Sequence, residues 1–222
     1  MNKEIEILKK FVTEQRLERF YEVLEYRTRY ITVVLEDLYQ PHNASAVLRS
    51  CDIMGIQDVH IIENENKYVV NKEIAVGASQ WLTLKNYNNK QNNTLDTIKE
   101  LKKQGYRIVA TSPHRDDVEL KEFDLSKGKV ALVFGSEKPG ISDIVIENAD
   151  EFLKIDMYGF TESFNISVSV ALIINNLVER LHHTDINWKL TEGEKKEILF
   201  TWLKKSVKDS NNILKKLLKK TS

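Results

Sequence analysis

The sequence predicts an α/β fold, a mainly parallel sheet flanked by helices, and three observations carry that expectation. A β-branched run, ITVVLEDL, is followed by a turn at Gln40-Pro41, a helical stretch and a second strand. That is a βαβ-like unit, and its connection is long enough for a parallel crossover. From Thr94 onward helical and strand-like stretches alternate, as they do where helices cover a parallel sheet. Finally, 222 residues can bury one substantial core, so one main domain with appendages is expected.

Taken in order, Leu17, Phe20, Tyr21 and Leu24 recur at spacings of three and four after Ile5, Leu8 and Val12, so the first 28 residues read as amphipathic helix. After ITVVLEDL the helical stretch runs from Ala44 to Met54 and stops at Gly55, and DVHIIE (Asp58 to Glu63) is the next strand. Residues 64–93 read as an irregular connection with one short helix and strand. Then come helix TLDTIKELKKQ, stopped by Gly105, strand YRIVATS, a polar loop, strand KVALVFG and the loop SEKPGIS. A short helix, strand EFLKIDM and an apolar helix from Phe164 to Leu181 complete the alternation. Beyond the linker-like TDINWKLTEGE, two short helices are expected, around Ile198, Leu199, Trp202 and Leu203 and around Ile213, Leu214, Leu217 and Leu218. The expected organisation is an N-terminal helical extension (1–29), the α/β domain (30–183) and a basic C-terminal helical extension (184–222).

Composition narrows the function classes. Hydrophobic content of 41% and charged content of 30% fit an ordinary soluble domain. The single cysteine, Cys51, rules out an intrachain disulfide and fits a reducing compartment, and the mixed-charge N-terminus has no signal-like or membrane-spanning run. A cytoplasmic protein is expected. Net charge is zero, yet seven lysines (204, 205, 208, 215, 216, 219, 220) face one acid, Asp209, after residue 203, leaving 26 bases and 32 acids before it. That tail reads either as a solvated amphipathic helix packed on the body or as a phosphate-contacting segment. The five histidines (42, 60, 114, 182, 183) lack metal-ligand spacing, and HExxH is absent, so no metal is expected. There is no GxGxxG, GxxxxGK[ST] or GxSxG, which removes support for nicotinamide, ATP and serine-hydrolase readings.

Three segments carry chemical content. In PHNASAVLRSCDIMGI, Asn43 or Ser45 is placed to cap a helix with Arg49 about a turn and a half further on, while His42 reads as structural. In VFGSEKPGIS, Gly135 and Gly140 permit a backbone path that exposes polar groups at a strand's carboxyl end, where open α/β sheets bind ligands. In IDMYGFTESFNISVSVALIINNL, Ser163 and Asn165 stand at the start of a helix apolar enough to be buried in the core or against another subunit. Taken alone, the first segment reads as an ordinary capped helix, the second as a Gly-Pro turn, and the third as either a cap or a ligand contact.

Together and in this order, the three segments resemble the three motifs of the SpoU/TrmH family of SPOUT methyltransferases, over about Thr32 to Leu181 and including GASQWL and YRIVATS. Within the family the resemblance is nearest to the tRNA guanosine-2'-O-methyltransferases acting on the D-loop guanosine at tRNA position 18. The resemblance implies a C-terminal trefoil knot, an exception to the rule against threaded loops. It also implies S-adenosyl-L-methionine as cofactor, a tRNA or other structured RNA as partner, and a homodimer in which the first motif of one subunit completes the site of the other. It implies catalytic roles for Arg49, Asn43, Glu137, Ser163 and Asn165, and cofactor binding by Thr111, Gly135, Gly140, Ile155 and the Phe164 position.

The family's arginine has been given the role of general base, but a guanidinium with a pKa above about 12 rarely yields its proton. We favour a phosphate clamp that stabilises developing oxyanion charge. Departures from the pattern fall beside the cofactor loop: Asp156 stands where relatives often have Pro, Phe164 replaces a usual Leu and Glu162 a common Gln. VERLHH has fewer bases than tRNA-binding members carry. The alternatives are a ribosomal RNA 2'-O-methyltransferase and a noncatalytic knotted RNA-binding protein. Only about 30 residues precede the first strand, which favours tRNA over ribosomal relatives with a separate RNA-binding domain, and intact Arg49, Glu137, Ser163 and Asn165 favour an enzyme.

Overall fold

The computed structural model describes residues 1–67, 77–112, 118–136 and 138–218. They divide into two compact units, residues 29–188 and a second formed by 1–28 together with 189–222.

The larger unit is built on a seven-stranded sheet in the order β3-β2-β1-β6-β4-β7-β5, every described pairing being parallel. The strands are β1 (Ile31–Glu36), β2 (Asp58–Ile62), β3 (Thr83–Tyr87), β4 (Arg107–Thr111), β5 (Val118–Glu119), β6 (Val130–Phe134) and β7 (Glu151–Lys154). All six residues of β1 are buried, because both sheet faces are covered. Its odd residues, Ile31, Val33 and Leu35, pack into a core with α3 (Pro41–Ile53) and α6 (Ile166–His182). Val34 faces the opposite core, with Ile98 and Leu101 of α4 (Thr94–Lys103) and Val145 of α5 (Asp143–Asn148). On α6, Val170, Ile173, Ile174, Leu177, Val178 and Leu181 form the buried stripe. Leu177 is fully buried, and its truncation to Ala would cost about 2–5 kcal/mol.

The smaller unit contains α1 (Asn2–Lys9), α2 (Glu14–Leu24), α7 (Glu192–Ser206) and α8 (Ser210–Leu218). Trp202 is its anchor, with the Phe20 ring 5.5 Å away and the Arg27 guanidinium 5.4 Å from its ring. Thr191 and Glu194 form a capping box at the start of α7, and Thr28 bridges Lys189. Lys195 donates to Glu25 at 2.6 Å, holding the carboxyl below and the ammonium above their ordinary pKa ranges. Glu25 is half exposed, so this pair contributes little.

Several local expectations change. The N-terminal stretch is two helices, because Thr13 accepts from the Arg16 N–H and starts α2 afresh. Neither Asn43 nor Ser45 caps α3: the helix begins three residues earlier, at Pro41, whose fixed φ suits a first helical position. Ser45 lies inside it and donates to the Pro41 carbonyl at 2.7 Å. The apolar helix starts at Ile166, with Asn165 as its cap. Within the described part of residues 64–93 there is one 3₁₀ turn (Ala78–Gln80) and β3. The first of the two C-terminal helices is long, at 15 residues. Among the described residues no helix is long and apolar enough to cross a membrane.

The carboxyl ends of β1, β2 and β3 are closed by hydrogen bonds. Asp37, at φ 51°, accepts from the N–H groups of Asn64, Glu65 and Asn66 at 2.7, 2.9 and 3.2 Å. Asn93 donates through Nδ2 to the Glu63 and Lys90 carbonyls, and its N–H donates to Asn64 Oδ1 at 2.7 Å. Asn64 Nδ2 in turn donates to Thr94 Oγ1 at 2.9 Å. Deeper in β2, the fully buried His60 meets the Tyr87 hydroxyl through Nδ1 at 2.9 Å, and that hydroxyl donates to Glu100. The hydroxyl's proton being committed, Nδ1 carries the imidazole proton, which leaves Nε2 buried without a hydrogen bond among the described residues. Burial, then the Lys85 charge, pushes the His60 pKa down to about 3.

Candidate functional site

β1 and β6 are neighbours whose following helices, α3 and α5, cover opposite faces of the sheet. Such a switch leaves a crevice beyond the strands' carboxyl ends. On the β6 side the ends of β4, β6 and β7 border a cavity of about 430 Å³.

Its walls come from three chain segments. After β6, Gly135, Ser136, Pro139, Gly140 and Ile141 form a loop folded back on itself. A Cβ at Gly135 would lie 2.1 Å from the Gly140 backbone, and Gly140 itself sits at φ +96°, so this loop needs glycine at both positions. At the end of β4, Thr111 and Ser112 contribute, the Thr111 hydroxyl being committed to the Val133 carbonyl at 3.0 Å. From the end of β7 the wall continues through Lys154, Ile155 and Met157 to Ser163 and Phe164, and α6 closes it with Ile166, Ser169 and Ile173. Among the described lining residues, Lys154 is the one charged side chain.

The α6 cap joins this wall to the first motif. Asn165 Oδ1 accepts from the Ser167 N–H and hydroxyl at 2.9 and 2.6 Å, while its Nδ2 donates to Asn43 Oδ1 at 3.1 Å. Asn43 is buried on α3 and donates to Gln40 at 3.3 Å. The structure therefore brings Asn43 and Asn165 together, 122 residues apart in sequence. It also puts Ser163, Thr111, Gly135, Gly140, Ile155 and Phe164 around one cavity. Arg49 is exposed on α3 and is not among the lining residues, and Glu137 lies outside the described residues.

Sequence reasoning did not single out Ser112, Ser136, Lys154, Met157 or Ile173. Ser136 and Lys154 sit at or next to strand ends beside residues that it did name, which is the signal that could have found them. Ser169, on the first turn of α6, also lines the cavity. Among the described residues no group of three or more His, Cys, Asp or Glu side chains is arranged to hold a metal ion.

A cavity of this volume lies within the range of small-molecule sites, about 300–1,000 Å³. Apolar walls at Ile141, Ile155, Phe164 and Ile173 offer surface to a planar heterocycle, and the glycine loop lets a ligand approach the backbone closely. A nucleoside-bearing cofactor fits that combination.

Comparison with known proteins agrees with these features. The SpoU rRNA Methylase family matches residues 30–175. A tRNA (guanosine(18)-2'-O)-methyltransferase of Borreliella burgdorferi is 42% identical over 93% of this chain and 93% of its own length. The crystal structure of the Aquifex aeolicus TrmH/SpoU tRNA modifying enzyme superposes with a TM-score of 0.78 at 30% identity, covering 88% of this chain and 98% of that one. The SpoU methyltransferase AviRb of Streptomyces viridochromogenes, in complex with AdoMet, shares the fold at 17% identity and a TM-score of 0.56, covering 72% of this chain and 61% of that one.

Proposed function

Because this chain belongs to the SpoU rRNA Methylase family, we propose that it is an S-adenosylmethionine-dependent tRNA ribose 2'-O-methyltransferase acting on the D-loop guanosine at position 18, the activity carried in the name of its Borreliella relative. The observation that carries the reading is the cavity at the ends of β4, β6 and β7, built from the glycine loop and the start of α6. Thr111, Gly135, Gly140, Ile155 and Phe164 would hold the cofactor there, largely through main-chain groups and apolar contact. When bound, S-adenosylmethionine supplies an electrophilic methyl group on a sulfonium.

The chain's own task is orientation, since in-line attack by a ribose hydroxyl depends on holding the reacting atoms in place. The Asn43–Asn165 hydrogen bond ties the first motif to the start of α6, where Ser163 and Asn165 can position the ribose. Arg49, exposed and outside the cavity lining, is assigned to the RNA phosphate and the developing oxyanion, with Glu137 as the second motif's acid.

A homodimer is part of this reading. Val168 and Leu172 lie one turn apart on α6, exposed together with Phe160 and Phe164, and an apolar surface of that kind favours a partner. A second copy would also bring an Arg49 to the cavity from outside. Light scattering should give twice the chain mass, and a single-chain mass would contradict the dimer. A tRNA substrate favours the cytoplasm as the place of action.

The test is to incubate the protein with labelled cofactor and total tRNA or ribosomal RNA and to map the modified ribose. Label at the D-loop guanosine is expected. Label confined to ribosomal RNA would overturn the substrate, no label in any RNA would overturn the enzyme, and near-normal transfer by Arg49→Lys would overturn the bidentate clamp.

A further inference from the structure

Glu36 ends β1, between the closed and open parts of the sheet edge, and the residue is 2% exposed. Oε2 accepts from the Ser142 N–H at 2.9 Å, while Oε1 accepts from the Ser142 hydroxyl and from the Thr94 hydroxyl, each at 2.7 Å. A buried carboxylate is costly unless it is well bonded, and these three donors come from two segments remote in sequence, 106 and 58 residues away. Thr94 is itself fixed, as it accepts from Asn64 in the closed network. Ser142 directly follows Gly140 and Ile141 of the cavity loop, and its hydroxyl also caps α5 by accepting from the Val145 N–H at 3.3 Å. A chain of hydrogen bonds therefore runs from Asn64 through Thr94 and Glu36 to the end of the loop that folds over the cavity.

We propose that Glu36 is a positioning residue for cofactor binding: its carboxylate fixes Ser142 and so holds the Gly135–Ile141 loop in its cofactor-receiving shape. The inference rests on the reading of the cavity as the S-adenosylmethionine site. Glu36 does not line the cavity, so its effect passes through the loop. A glutamine at this position keeps the shape but turns one acceptor into a donor. Set at Oε2, the amide nitrogen opposes the Ser142 N–H; set at Oε1, it removes the acceptor to which the Ser142 and Thr94 hydroxyls both donate. Neither arrangement restores the original three bonds.

The test uses the full-length protein and S-adenosylhomocysteine, a probe that cannot react, measured by calorimetry. Glu36→Gln and Ser142→Ala should each weaken its binding about tenfold. Affinity for tRNA without cofactor should stay within about twofold, since Glu36 and Ser142 are assigned to cofactor binding and neither lines the cavity. Ile98→Val, which loosens the same core without touching the carboxylate, should lower the melting temperature and keep the wild-type Kd. A purely structural role for Glu36 would give that same pattern in all three variants. Should Glu36→Gln not fold, Ser142→Ala decides: folded protein binding the probe within about twofold of wild type overturns the inference. Failure of the wild-type protein to bind the probe is a distinguishable outcome, which would overturn the cofactor reading and this inference with it.

Discussion

One sheet edge does two different things. All described strands run parallel, so their carboxyl ends lie along a single edge. At β1, β2 and β3 that edge is sealed by Asp37, Asn64 and Asn93, whose side chains satisfy backbone groups of the turning chain, with Thr94 bonded to the Asn64 side chain. At β4, β6 and β7 the edge opens into a cavity whose loop is shaped by glycines. Strand direction places ligands at this edge in general. The loop chemistry decides which part of the edge can take one.

If the difference is real, damage to the open end should cost binding and damage to the sealed end should cost stability. The largest effect is expected from Gly135→Ala. A Cβ there cannot be accommodated 2.1 Å from the Gly140 backbone, so the loop must move, and cofactor affinity should fall about hundredfold, ~2.7 kcal/mol. Calorimetry would check it, and an unchanged Kd would show that the loop does not form the site. Next comes Asp37→Ala, which leaves three backbone N–H groups without their acceptor and puts Ala at positive φ. Urea unfolding should show a loss of about 2 kcal/mol with cofactor affinity retained. A weakened Kd in the folded variant would mean that the sealed end also serves the ligand.

The smallest effect concerns His60. Its pKa in the folded chain, about 3, is below its unfolded value, so the unfolded state binds the extra proton first. The stability from keeping this ring neutral is complete above about pH 6.5 and is lost as pH falls toward 3. From pH 6.5 to 5.5 the loss should be about 1 kcal/mol, and His60→Gln should show a flatter profile over that range. Equal slopes for the two proteins would place the acid sensitivity elsewhere.

Much of the sheet and the cavity was legible because the signals are local. Periodicity marks β1, β2 and α6, and glycine and small polar residues mark the loops, so Gly135, Gly140, Ile155, Ser163 and Phe164 surround one cavity, while Asn165 is bonded to Asn43 beside it. What escaped depends on chain segments meeting. The Glu36–Ser142 bonds span 106 residues and the Asn43–Asn165 bond 122, and no local pattern tells an acid or an amide which distant partner the topology will deliver. The association of residues 1–28 with 189–222 is another such case. Two errors were local instead. The break before α2 rests on Thr13 competing successfully as a cap, and the early start of α3 rests on Pro41 being more suitable at a first helical position than inside the loop.

The central claim is that the open end of this edge is the cofactor site, and a crystal structure with S-adenosylhomocysteine tests it most directly. The ligand should lie between the Gly135–Ile141 loop and the Ile155–Phe164 wall, against Thr111 and Ile173. A ligand seated instead at the Asp37–Asn64 end, or against the helical unit, would contradict it.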